Sequence, residues 1–517
     1  MKNIYILAMS LLCVSTVVSQ QHIDSWGDQG NGTYINPILN ADYSDPDVNR
    51  VGDTYYMVAS DFHFLGMQVL ASKDMINWRL ISKVYERFDF PGWDTNERYA
   101  GGSWAPSIRY HDNKYWIFFC TPHEGLFMTN ASKAEGPWSP LVRVSDTPMW
   151  EDPCPFWDDD GNAYLGRSQH GAGPIIIHRM SPDGTKLLDE GRVVYTGPVA
   201  EGTKIHKLNG YYYLSIPEGG VETGWQTILR SKSIYGPYEK RVVLEQGLTD
   251  VNGPHQGAIV DTPYGEWWFF HFQQYKTLGR VVHLQPMHWK DGWPVIGVDR
   301  DMNGIGEPVK TWIKPACGKP SEIVYPNTTD YFDSDTLGLQ WQTNHNPTRD
   351  SALAIEHNKL VIRAHKAPSF KKARNTLTQK IMGYRVSITA SMEWTDETLV
   401  NGINCGMACM GRENYTLGIV REGEKSYICL MKDESIIKRK VFTGHKVYLR
   451  LETDAVNNSY NLLYSADNVT YETLSDSFAM RWGHWKGVRA ALYCYNTEDS
   501  KGEVAFDDFM VNIVFKK

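Results

Sequence analysis

The stretch "DPDVNRVGDTYYMVAS", Asp45–Ser60, sets an acid and a proline ahead of a short apolar run, a Gly-Asp turn and a tyrosine-rich strand. The same grammar returns four times. It reads "APSIRYHDNKYWIFFC" from Ala105, "DPCPFWDDDGNAYLGRS" from Asp152, "EGTKIHKLNGYYYLSIP" from Glu201 and "GPHQGAIVDTPYGEWWFFHF" from Gly253. The turns are Gly52-Asp53, Asp112-Asn113, Asp160-Gly161, Asn209-Gly210 and the longer Thr262–Glu266. These residues take φ > 0 or bond their own backbone, as hairpin turns require. A second signature follows in three units: "SKDMINW" from Ser72, "SKAEGPW" from Ser132 and "SKSIYGPY" from Ser231.

The units start roughly 50 residues apart, the period of a propeller blade of four short strands. No long apolar stripe of helical period appears, which excludes a helical solenoid. The expected fold is all-β: a five-bladed β-propeller over residues 31–315, a linker at 316–326 and a second domain at 327–517. In the second domain "KLVIRAHK", "YRVSITASMEW", "KVYLRLETD" and "YNLLYSAD" alternate apolar and polar residues. That period of two predicts strands with one wet face, and their number suggests a lectin-like jelly-roll sandwich.

Composition narrows the function. The chain has 517 residues, a formal net charge of −8 and 13% aromatics. It carries no basic run, so nucleic acid is not an expected partner, whereas abundant Trp and Tyr suit sugar stacking. Residues 1–19 read as a secretory leader: Lys2, the apolar "IYILAMSLLCVSTVV", then small residues at Val17 and Ser19. The expected location is periplasmic or secreted, with no lipid anchor, since Leu12 before Cys13 is not small. No other segment approaches the roughly 18 apolar residues of a membrane-spanning helix. The seven cysteines after the leader form no framework, and Cys405 and Cys409 lack partners for zinc. "WDDDG", Trp157–Gly161, reads as a hairpin turn, because no calcium-loop ligand series continues from it.

In a propeller the first strand of each blade lines the axis, so the openings Asp45, Ala105, Asp152, Glu201 and Gly253 should converge on one pocket. Three carboxylates facing one cavity repel one another and lose hydration, a cost that chemistry explains better than turn capping. Paired acids across a pocket are the equipment of glycoside hydrolysis, and a third can hold the proton donor's pKa up.

These stretches resemble glycoside hydrolase family 43. The matching segments are "NPILNADYSDPDV", "SWAPSIRYHDNKYW", "WEDPCPFWDDDGNAYL", "AEGTKIHKLNGYYYL", "GPHQGAIV" and "LGRVVHLQPMHWKDGWPVIG". The resemblance implies inverting hydrolysis, with Asp45 as general base, Glu201 as general acid and Asp152 as pKa modulator. It implies that Arg280 bonds sugar hydroxyls and holds the modulating acid. It implies that Phe62 and Trp104 wall the sugar subsite and that His255 stands on the axis near a water or a structural calcium. No cofactor is required. The departures are "EGTK" and "PHQG" where many relatives carry Glu-Gly-Pro and Gly-His-Gly. The form of the third opening and the trailing sandwich look most like the branch rich in α-L-arabinofuranosidases and β-xylosidases, in which the sandwich can wall the active-site mouth. The expected activity is exo-acting α-L-arabinofuranosidase on plant cell-wall arabinoxylan, arabinan or arabinosylated xyloglucan, with β-D-xylosidase as the nearest alternative. A non-catalytic sugar-binding propeller would not need three such acids.

Overall fold

A computed structural model describes residues 26–318, 321–347 and 352–515. The expected leader, and residues 319–320 of the expected linker, lie outside the described residues. The chain is all-β: the helical elements among the described residues are two three-residue 3₁₀ turns, Lys276–Leu278 and Phe370–Lys372.

Each sequence repeat forms one four-stranded antiparallel sheet, giving five sheets in chain order. Their opening strands are Ser44–Val51, Trp104–His111, Trp150–Trp157, Lys204–Leu208 and Ile259–Asp261. The opening strands of sheets one to four approach one another in succession, and the fifth returns to the first. The fourth and fifth sheets also meet through their last strands, Glu239–Leu244 and Trp293–Ile296. Between sheets lie separate apolar clusters, such as Ile117, Phe119 and Phe127 between the first two and Leu214, Ile216 and Ile205 between the third and fourth. Burial of these faces follows from strands that are apolar on both sides.

The second domain is two eight-stranded sheets. One runs through Ile403–Met410 and Arg489–Asn496, the other through Arg385–Glu393, Lys446–Asp454 and Glu503–Val514. Lys446–Asp454 alternates half-exposed and buried positions, as its sequence period predicts. Val447, Leu449 and Leu451 from it meet Met407, Leu492 and Ile428 of the facing sheet in one core. Leu278 and Val281 of the first domain belong to that same core, so the two domains are packed on each other.

The register of the opening strands differs from the one read in sequence. In the first three sheets the pairing slips by one residue at Asp45-Pro46, Ala105-Pro106 and Asp152-Pro153. In the fourth the same slip falls between Glu201, which bonds Pro217 O, and Lys204, which pairs with Ser215. In the fifth it falls between His255 and Ile259. Each slip is a β-bulge whose first residue is left-handed: Asp45 at φ 54°, Ala105 at 33°, Asp152 at 58°, Gly202 at 59° and Gln256 at 57°. The equivalent residues are therefore Asp45, Ala105, Asp152, Gly202 and Gln256. Glu201 belongs to the preceding row, with Ser44, Trp104, Glu151 and His255. Aligning Glu201 and Gly253 with Asp45 was wrong by one residue and by three, because "EGTK" carries no proline and the proline of "GPHQG", Pro254, stands two residues before the bulge and not after its first residue.

Candidate active site

The bulges deliver side chains from two successive rows to one cavity of about 330 Å³. Asp45, Asp152 and Gln256 reach it from the left-handed row, and Trp104, Glu151 and Glu201 from the row before. Phe62, His170, Arg280 and Trp485 complete the principal lining. A left-handed residue turns its side chain out of the ladder's alternation, which is how adjacent residues on one strand, Glu151 and Asp152, both face the cavity. In the fourth sheet only glycine serves at the bulge: a Cβ on Gly202 would stand 2.5 Å from the Pro217 ring.

Asp45 accepts a hydrogen bond from Ser60 Oγ at 2.6 Å and from Arg280 Nη1 at 2.5 Å. Ser60 Oγ in turn accepts from Ala105 N–H at 2.6 Å. Asp152 accepts from Ser168 Oγ at 2.6 Å, from Gly202 N–H at 2.8 Å and from Gln256 Nε2 at 3.3 Å. The expectation that Arg280 holds Asp152 is thus corrected: its partner is Asp45. Arg280 N–H bonds Asp42 Oδ1 at 3.0 Å, which seats the arginine beside the first sheet and not the third. Its Nε is buried with no partner.

Glu151, Asp152 and Glu201 present carboxylate oxygens that all lie within 4.8 Å of one another. Burial, then the Asp152 charge, pushes the Glu201 carboxyl up to about 8, while Arg280 pulls the other way. Burial, then Asp152 and Glu201, pushes Glu151 up to about 9. Burial also raises Asp152, against the Ser168 hydroxyl and the Gly202 N–H, which favour its charged form. The three carboxyls thus titrate as a coupled set, with burial and their mutual repulsion raising all three.

Phe62 and Trp104 line the cavity wall. His255 does not line it; it is fully buried, its Nε2 lies 3.0 Å from Gly220 O, and burial pushes its pKa down to about 4. Its neighbour Gln256 takes the lining position. Among the described residues no group of three or more His, Cys, Asp or Glu side chains includes His255. Its Nδ1 is buried with no hydrogen-bond partner among the described residues.

The second domain supplies part of the wall. Trp485, 42% exposed, lines the cavity. The next residue, Lys486, is buried inside the first domain, where its Nζ donates to Ser60 O at 2.9 Å and pairs with Asp42 Oδ2 at 3.1 Å. Gly487 N–H also donates to Asp42 Oδ2, at 2.9 Å. Asp42 thereby joins the second domain to the Arg280 backbone and, through Ser44 Oγ at 2.9 Å, to the residue before Asp45. Sequence reading missed Glu151, Gln256, Trp485 and the Asp42–Lys486 pair. Glu151 had a signal, the acid before Asp152 in "WEDP"; Trp485 and Lys486 had none, Lys486 being 444 residues from the Asp42 it pairs with.

Similarity to known proteins bears on this geometry. Residues 34–294 match Glycosyl hydrolases family 43, and residues 329–512 match the Beta xylosidase C-terminal Concanavalin A-like domain. The chain belongs to glycosyl hydrolase family 43. It is 54% identical over 467 residues to a Xylanibacter ruminicola protein named "Putative beta-xylosidase", covering 90% of this chain and 86% of that one. It is 35% identical over 555 residues to "Beta-xylosidase" of Formosa agariphila, covering 96% and 93%. Among solved structures, "Bifunctional GH43-CE" of Bacteroides eggerthii superposes with a TM-score of 0.83 at 27% identity. That likeness covers 95% of this chain and 64% of the other. The family makes the chain a glycoside hydrolase acting on carbohydrate, and the acid-lined cavity lies within the segment that matches it.

Proposed function

We propose that this family 43 hydrolase is an inverting, exo-acting β-D-xylosidase that removes terminal xylosyl residues from plant cell-wall xylan or its oligosaccharides. In this reading the five sheets are the blades of a propeller, the acids sit at one end of its axis, and the leader exports the protein to the periplasm or medium. The observation that carries the mechanism is the split among the acids. Asp45 stands with Arg280 and Ser60, apart from the protonated group that contains Glu201. Glu201, up at about 8, keeps its proton at neutral pH and gives it to the leaving glycosidic oxygen. As that C–O bond breaks, water attacks the anomeric carbon and passes its proton to Asp45. Asp152 stays ionised and keeps Glu201 protonated. The product leaves with Asp45 protonated and Glu201 charged, and proton exchange with water restores both.

Two observations favour removal of end sugars. The cavity is near the small end of ligand sites, and the second domain closes one side with Trp485. The unpartnered Arg280 Nε and the Gln256 amide are suited to bonding hydroxyls of a sugar held between Phe62 and Trp104.

The relatives move the preference among sugars. Sequence reading favoured α-L-arabinofuranosides, with β-D-xylosides as the alternative; both relatives described above carry β-xylosidase names, which supports the alternative. Parallel assays on nitrophenyl β-D-xylopyranoside and nitrophenyl α-L-arabinofuranoside test this. A higher kcat/KM on the xyloside is expected, and a tenfold preference for the arabinofuranoside would reverse the assignment.

A further inference from the structure

Glu151 has no role in the mechanism above, yet it lines the same cavity as the acids that do. It occupies, in the third sheet, the position that Glu201 occupies in the fourth: the residue immediately before the bulge. Its residue is 91% buried by area, and the two carboxylate oxygens differ. Oε2 stands 3.4 Å from His170 Nδ1, and the Ala172 backbone also favours its charged form. Oε1 is buried and has no hydrogen-bond partner.

The loop that follows its partner strand is shaped around it. Gly171, Ala172 and Gly173 are all left-handed, at φ 94°, 64° and 115°. They fold the chain back so that His170 and Ala172 line the cavity beside Glu151. His170 is half-exposed at the cavity and lies 5.4 Å, ring to ring, from Trp104. Left-handed backbone is unfavourable for alanine. A buried carboxyl oxygen without a partner is also costly, and a leucine or methionine of similar size would avoid it. That second cost is met if the missing partner is a ligand.

We propose that Glu151, flanked by His170, is a specificity-determining residue whose carboxyl group hydrogen-bonds a hydroxyl of the sugar held in the cavity. This rests on the cavity's being the sugar site, as the proposed function has it. Held neutral, the acid offers an O–H donor and a carbonyl acceptor, which suits one hydroxyl as both acceptor and donor. A neutral group also adds no charge against Asp152, so it reads the sugar without opposing the proton donor. His170, on the wet side, is placed to fix the carboxyl's orientation.

Calorimetric titration tests the contact without requiring turnover. The wild type, Glu151→Gln and Glu151→Ala are titrated with D-xylose and with its 2-deoxy, 3-deoxy and 4-deoxy analogues. Glu151→Ala is expected to weaken D-xylose about 10- to 100-fold. For one of the analogues the loss should vanish, because the hydroxyl that Glu151 meets is already gone. Glu151→Gln, which keeps a neutral donor and acceptor, should retain binding within about tenfold. Equal losses on D-xylose and all three analogues would mean a structural acid and overturn the proposal, as would unchanged affinity or no binding of any of the four sugars to the wild type. Melting curves show whether Glu151→Ala is folded, and Glu151→Leu, which keeps the volume and removes both polar atoms, carries the comparison if it is not. Hydrolysis of the parent xyloside by the wild type is read separately: its absence would count against the glycosidase reading, while the titration still decides the Glu151 contact.

Discussion

At the scale of single residues, protonation states separate the acids. Asp45→Asn and Glu201→Gln should each lower kcat by about 10²- to 10⁴-fold while the fold is retained, since each removes one proton-transfer partner. The kcat/KM profile of the wild type should fall as pH rises through about 8, where Glu201 loses the proton it must donate. The sign of the Asp152 effect follows. A neighbouring negative charge raises a carboxyl pKa, so Asp152→Asn should move that alkaline limb toward acid as well as slowing the reaction. A limb left in place would show that burial alone holds Glu201 up. Asp45, Asp152 and Glu201 were legible as cavity residues because two precede prolines at the bulge and the third stands one residue before it. Arg280's true partner was not, because its seat depends on Asp42, a residue with no motif around it.

At the scale of elements, the bulge is the device that brings two successive residues of one strand to the cavity. Five opening strands place one left-handed residue each at the same point, and only the fourth uses glycine there. The two-strand grammar of each repeat was readable from turn residues and aromatic runs. The register was not: a one-residue slip flips every side chain, and the repeats that lack the Asp-Pro or Ala-Pro mark gave no means of locating it. Ala105, at φ 33°, offers the cleanest test, since it carries no acid. Ala105→Gly should keep activity and lose no stability, glycine being free in that region. Ala105→Val should cost about 1–3 kcal/mol, read by thermal melting, because a β-branched residue resists left-handed backbone. Equal melting temperatures for the two variants would contradict the strained-bulge account.

At the scale of the whole molecule, the second domain is part of the site. Its alternating strands were plain in sequence, but the segment that matters, Trp485-Lys486-Gly487, carries no period and joins the acids only through the tertiary fold. Lys486→Met leaves Asp42 buried without its cation, a change of roughly 3–5 kcal/mol. Adding Asp42→Asn removes that stranded charge, so the double variant should melt above the single one, with both impaired in kcat/KM. A single variant as stable and as active as the wild type would show the two domains to be energetically separate at this joint.

The proposed mechanism is a single displacement, with Asp45 activating water and Glu201 giving its proton. Asp45 and Glu201 stand on the first and fourth sheets, and an inverting pair needs its carboxyls about 6.5–9.5 Å apart to admit that water. At about 5–5.5 Å, Asp45 would instead reach the anomeric carbon. Proton NMR of the first sugar released from a β-D-xyloside distinguishes the two before mutarotation mixes the anomers. Single displacement releases α-D-xylose first. β-D-Xylose first, or transfer of xylose to added methanol with retained configuration, would mean a covalent intermediate and would contradict Asp45 as general base.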